Sequence, residues 1–153
     1  MDDKRPAILL DQDRANWRWS WGYVEDVASA ISSAATDRRA GGRIYNVGEK
    51  VSLTQAERID AIARATRWNG RIVALAGDHL PEHLKAAVDF AQDLTFDSGR
   101  IRRELGFEER LSLHEAMRRT IAWEREHPPE RIDPDAFDYP AEDAALKKRS
   151  HSA

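Results

Sequence analysis

The stretch NWRWSWGYVEDVASAI, residues 16–31, places tryptophan at alternate positions, Trp17, Trp19 and Trp21, and then runs into a helical pattern. Indoles at that spacing can stack nucleic-acid bases, wall a small-molecule pocket, or pack against a neighbouring layer. Base-stacking platforms come with basic tracks. Here 24 Lys and Arg stand against 27 Asp and Glu, interleaved as in RIRRELGFEER, which argues against a nucleic-acid face and leaves wall and joint. His79 and His83 stand four apart in DHLPEH beside Asp78, a spacing that shares a metal when it lies on one helix. Pro81 interrupts such a helix and no third ligand is evident, so no metal is expected; the readings left are ordinary surface histidines, or a loop at a pocket mouth with His79 or Asp78 touching ligand. Asp26, at a helix start, is read as a cap or a dipole partner rather than a base. The absence of cysteine excludes disulfides and thiol catalysis.

The elements that must position these residues alternate. RPAILL (5–10) reads as a strand, DQDRAN as a polar loop, and WRWSWGYV as a strand with two unlike faces. From Val24 the period becomes helical, with Val24, Val27, Ala28, Ile31, Ala34 and Ala35 on one face. GRIYNVG (42–48) and RIVALAG (71–77) read as strands. Thr54 and Glu57 form a capping-box pattern ahead of a helix that turns Ile59, Ile62 and Ala63 inward. A helix is expected to begin near Pro81. In FDSGRIRRELGF, Asp97 can cap a short helix, Gly106 can stop it, and Phe107 can fold back on Ile101. Ser112 and Glu115 give a second capping box before a helix with Leu113, Met117 and Ile121 as its inner stripe. Four prolines from Pro128 to Pro140 and the KKRSHSA end predict an extended tail over 130–153 with a frayed end, after one domain over 1–129.

The order of YVEDVASAI, GRIYNVGE, LTQAE, FDSGRIRRELGF and SLHEAMRRTIAWEREHPP resembles the C-terminal part of the extended short-chain dehydrogenases/reductases, the NAD-dependent epimerase/dehydratase family. The likeness runs from about Pro6 to Pro129. It implies an α/β chain: an incomplete Rossmann-type unit holding the last strand and helix of the nucleotide-binding layer, with a small mixed substrate-binding lobe and C-terminal helices. In this family a glycine-rich turn cradles NAD(P) and a Tyr-x-x-x-Lys pair supplies the acid/base. The glycines of this chain form no such turn, and Val27, Glu49 and Asp143 stand where Lys would follow Tyr23, Tyr45 and Tyr139. No catalytic, cofactor-binding or metal-binding residue is therefore expected, and the chain alone is expected to bind no NAD and to be inactive.

The resemblance makes the chain a fragment that contributes pocket walls to a parent reaction of hydride transfer at a secondary carbinol of a sugar or related substrate. Its expected partners are a separate N-terminal Rossmann half or a second copy, a small-molecule substrate, no nucleic acid and no membrane; the expected location is cytoplasmic. The family's phosphate-binding Arg falls here on Trp19, one residue from Arg18, and its second Arg has no counterpart in ALAGDHLPEH, which points to a smaller or less charged substrate. The expected substrate-binding residues are Arg18, Trp19, Trp21, Asp78 and His79. The alternative is a non-enzymatic α/β module that binds a small molecule or a protein through the WRWSW surface.

Overall fold

Two short apolar runs form the only strands among the described residues of the computed structural model, which describes residues 1–86 and 88–152. β1 (Ala7–Asp11) and β2 (Arg71–Leu75) pair in parallel, with Ala7 opposite Arg71 and Asp11 opposite Leu75. Parallel pairing requires a long crossover, and the 59 residues between the strands supply it. Ala7, Leu9, Val73, Leu75 and Leu80 form one apolar cluster around this sheet. Ala30, Ile101 and Phe107 form a second, with Tyr45 and Val47 packed on it. The chain thus carries two small cores rather than one.

Several elements stand where local chemistry places them. α2 (Val24–Thr36) follows the tryptophans. α3 (Gln55–Thr66) opens on the full capping box: the Glu57 amide donates to Thr54 Oγ1 at 3.1 Å, and the Thr54 amide donates to Glu57 Oε2 at 2.7 Å. α4 (Gly99–Leu105) begins where the Gly99 amide donates to Asp97, and ends at Gly106, whose φ of 70° is the left-handed stop. Phe107 packs with Ile101 as expected. α5 (Leu113–Glu126) has half of its capping box: the Glu115 amide donates to Ser112 Oγ, but the Glu115 carboxylate faces Arg118 and Arg119 instead.

Six expectations need correction. The polar loop DQDRAN is a short helix, α1 (Gln12–Asn16), because the Asp11 carboxylate accepts from the amides of Asp13 and Arg14. WRWSWGYV is extended but forms no strand; its backbone ties to several segments in turn. Gln55 donates to Trp17 O, Leu94 to Arg18 O and Glu49 to Trp21 O. Residues 43–48 likewise form no ladder, and Ile44 is 84% exposed. A strand needs a neighbour to take its backbone groups, and no described strand lies beside it. The stretch after Pro81 makes only a 3₁₀ turn, Glu82–Leu84. Further on, the backbone serves the tryptophans rather than its own helix, Gln92 O accepting from Trp17 Nε1 at 2.9 Å.

The fifth correction concerns the tail, which carries α6 (Tyr139–Ser152). Asp138 accepts from the Ala141 amide at 3.0 Å, and Pro140 lies in the first turn, where a missing N–H costs nothing. Ala145 and Leu146 cover the sheet cluster. Arg5 fixes the helix by donating to Asp143 at 2.6 Å and lying over the Tyr139 ring, 4.5 Å from its centroid.

α2 buries a different face from the expected one. Asp26 and Ala30 are its buried residues, and the Arg110 amide donates to Asp26 Oδ1 at 3.0 Å. Val24 (72% exposed), Ala28, Ile31 (61%) and Ala35 form an uncovered apolar stripe.

Candidate functional site

The residues singled out by type and spacing follow the carboxyl ends of the two parallel strands. β1 ends at Asp11 and leads through α1 to Trp17; β2 ends at Leu75 and leads to the 3₁₀ turn Gly77–His79. This is the edge of an α/β sheet at which ligands bind. Gly77 sits against β1 there, a Cβ built on it lying 3.2 Å from Asp11 Oδ2.

The three indoles have different duties. Trp17 is buried; its Nε1 donates to Gln92 O, and its ring meets Phe90 and Trp19 edge-on, each at 5.3 Å between centroids. It is a joint between residue 17 and the 90–94 segment. Trp19 and Trp21 lie 5.7 Å apart, tilted, and are 48% and 40% exposed. One side of Trp21 is occupied by the Arg58 guanidinium, 4.5 Å from the ring centroid. The open aromatic surface is therefore carried mainly by Trp19, with the free side of Trp21 beside it.

Arg18 is engaged by Ser52 and Glu57. Its Nη1 donates to Ser52 O at 2.7 Å and lies 3.4 Å from Glu57 Oε2. The Thr54 amide, ahead of the Arg18 charge, holds the Glu57 carboxyl below its usual range. Arg18 thus ties the tryptophan segment to the start of α3. Asp78 and His79 pair with each other at 2.8 Å and are both exposed. No contact joins them to Trp19 or Trp21 among the described residues. His83 is drawn elsewhere, its Nε2 3.3 Å from Glu142 Oε1 on α6, so the two histidines of DHLPEH serve different neighbours. Among the described residues no group of three or more His, Cys, Asp or Glu is placed to hold a metal.

Sequence reasoning missed the groups beneath the indoles. Arg58 is buried, donates to Glu49 Oε2 at 2.6 Å, and its Nε has no partner among the described residues. Ser20 Oγ accepts from the Phe96 amide at 2.9 Å and lies 3.3 Å from Ser52 Oγ. The available signal was helical phase: 58 shares a face with 61 and 62, but an arginine there reads as solvated unless its stacking partner is known.

One β–α junction bears on a dinucleotide. The amides at the start of α1, where a pyrophosphate would seat in a Rossmann turn, are taken by the Asp11 carboxylate, and no glycine lies in that turn. The residues of this turn do not fit the phosphates of NAD. No helix among the described residues is long and apolar enough to cross a membrane.

Parallel strands joined by a helical crossover, with candidate ligand residues at their carboxyl edge, define an α/β chain of Rossmann type, and solved structures share the fold. An epimerase of Methanothermobacter thermautotrophicus matches 81% of this chain and 34% of its own length, at TM-score 0.61 and 22% identity. A dTDP-glucose 4,6-dehydratase of Streptomyces venezuelae, solved with NAD and TYD bound, matches 80% of this chain and 35% of its own, at TM-score 0.54 and 26% identity. No family profile matches the chain. Its sequence is 32% identical over 127 residues to the dTDP-glucose 4,6-dehydratase of Streptomyces griseus, 83% of this chain and 35% of that protein. It is 32% identical over 111 residues to the Salmonella typhimurium enzyme of the same name, 67% of this chain and 28% of that protein. The chain is an NAD-dependent epimerase/dehydratase-like chain that spans about a third of the length of the curated relatives it matches.

Proposed function

We propose that this chain is the C-terminal, substrate-side portion of an epimerase/dehydratase-like protein. It docks on a nucleotide-binding half through the outer face of α2 and the unladdered 43–47 segment. The observation that carries this reading is the stripe Val24, Ala28, Ile31, Ala35, left bare together with Ile44. Fully burying one large aliphatic side chain is worth about 1.5–3 kcal/mol, so covering Val24, Ile31 and Ile44 contributes about 4 kcal/mol or more. Exposed apolar surface of that kind marks an interaction site.

In the assembled protein the chain contributes a wall of the substrate pocket. Trp19 and the open side of Trp21 offer rings to the apolar faces of a sugar or related compound, while Asp78 and His79 stand at the same sheet edge as hydrogen-bonding groups. Arg18 positions the wall through Ser52 and Glu57. With its guanidinium engaged there, Arg18 is no free anchor for a diphosphate, which favours a substrate less charged than the dTDP-sugars named for the relatives. Hydride transfer and the NAD site belong to the other half, since Asp11 fills the β1–α1 turn of this chain.

Sedimentation velocity over a concentration series tests the docking face. The chain alone is expected to self-associate through the bare face, and Val24→Gln with Ile31→Gln to return it to a monomer with an unchanged far-UV spectrum. A wild-type chain that stays monomeric and binds no hydrophobic dye would overturn the proposal. The independent small binder using the Trp19 surface would replace it.

A further inference from the structure

At the amino edge of the sheet, opposite the candidate pocket, Trp68 sits on a ridge between two open grooves of about 640 and 500 Å³. The ridge is well built. Trp68 Nε1 donates to Arg5 O at 2.7 Å and the Arg71 amide to Pro6 O at 3.0 Å, joining the 67–71 turn to the 4–6 strand entry. Gly70 lies directly under the indole, since a Cβ there would come within 2.0 Å of the ring. Around Trp68 stand Lys4, Arg67 and Arg71, and among the described residues none of the three has a side-chain ion-pair or hydrogen-bond partner. Their cationic neighbours Arg5 and Arg64 are neutralised by Asp143 and Asp60. Lys4 (φ 55°) and Arg67 (φ 56°) are also the only non-glycine residues with positive φ among the described residues. Strained backbone of this kind clusters at functional sites. Here it holds two unpaired cations in the grooves beside one indole, Lys4 in one and Arg67 in both.

We infer that this ridge binds a short acidic segment of a partner protein, its carboxylates meeting Lys4, Arg67 and Arg71 and an apolar side chain resting on the Trp68 edge. Charge complementarity limits the occupant. Three free cations match two or three carboxylates and are too few to follow a continuous polyanion such as nucleic acid, since Asp60, Glu57 and Asp2 along the grooves already neutralise Arg64, Arg18 and Arg125.

The test is fluorescence anisotropy of an N-terminally labelled, C-terminally amidated EELE peptide with the full chain at low and at physiological salt. Saturable, salt-weakened binding is expected, reduced about fivefold by Arg71→Glu and left unchanged by Arg38→Glu in the turn after α2. Arg67→Gly separates binding from folding. It relieves the left-handed strain and raises Tm by about 2–4 °C, yet weakens the peptide by about the same fivefold. Absence of saturable binding, equal loss with Arg38→Glu, retained affinity in Arg67→Gly, or tighter binding of a single-stranded oligonucleotide of equal charge would each overturn the inference.

Discussion

Replacing Glu109 by Gln should destabilise the chain at neutral pH, with a difference from wild type that closes in acid. Glu109 receives Arg102 through two contacts, at 2.5 and 2.8 Å, and accepts from the Lys50 amide at 2.9 Å. Arg102 also donates to Gly48 O at 2.9 Å. The pair therefore holds the 48–50 turn to α4, and through Glu49 it supports the backbone of Trp21. The Arg102 guanidinium is the main cause that lowers the Glu109 carboxyl from 4.5 to about 2. At 1.36 kcal/mol per pH unit that drop corresponds to at most about 3 kcal/mol. With 28% of the side chain in solvent, screening reduces it to about 2 kcal/mol. For a folded pKa below the unfolded one, the stabilisation is complete above about pH 4.5 and disappears as pH falls through about 2. Thermal melts should place Glu109→Gln about 4–8 °C below wild type at pH 7, with the gap narrowing steadily below about pH 4.5. A gap under about 1 °C at pH 7, or one that stays constant from pH 7 to pH 3, would refute the reasoning.

Three further substitutions follow from single contacts. Gly70→Ala should displace the Trp68 indole and break its bond to Arg5 O, lowering stability by about 2 kcal/mol in a denaturant titration. Gly106→Ala meets nothing within 4 Å, so its cost should be the left-handed strain alone, about 1 kcal/mol in the same titration. Arg58→Met should leave the Glu49 carboxylate unpaired and cost about 3 kcal/mol, much of which Glu49→Leu added to it should restore; shifted Trp emission would report the loss of the cation from Trp21.

What could be read from the sequence was whatever is decided within a few residues. The Thr54–Glu57 capping box, the Gly106 stop with Phe107 folded on Ile101, and both strands of the sheet depend on local chemistry and stand as expected. Failures arose where the decision lies with a distant partner. Residues 43–48 have the composition of a buried strand, but with no neighbouring strand they remain an unladdered segment with Ile44 bare. The prolines before α6 read as extension, yet Asp138 caps the helix and Arg5, far away in sequence, fixes it. The rotation of α2 was hidden because Asp26, a polar residue, faces inward to meet the Arg110 amide. At the candidate site the tryptophans were legible as a set. Their division into a joint, an open ring and a ring laid on Arg58 was not, because it depends on residues 49, 58 and 90–94.

Hydrogen exchange measured at low and high protein concentration examines the docking face most directly. Amides of 44–47 should exchange freely in dilute solution, and those of α2 at the slower rate that its helical hydrogen bonds set. They should gain protection as the chain associates, while β1, β2 and α3 exchange alike at both concentrations. Exchange that is slow at 44–47 in the dilute monomer, or that never changes there with concentration, contradicts the docking face.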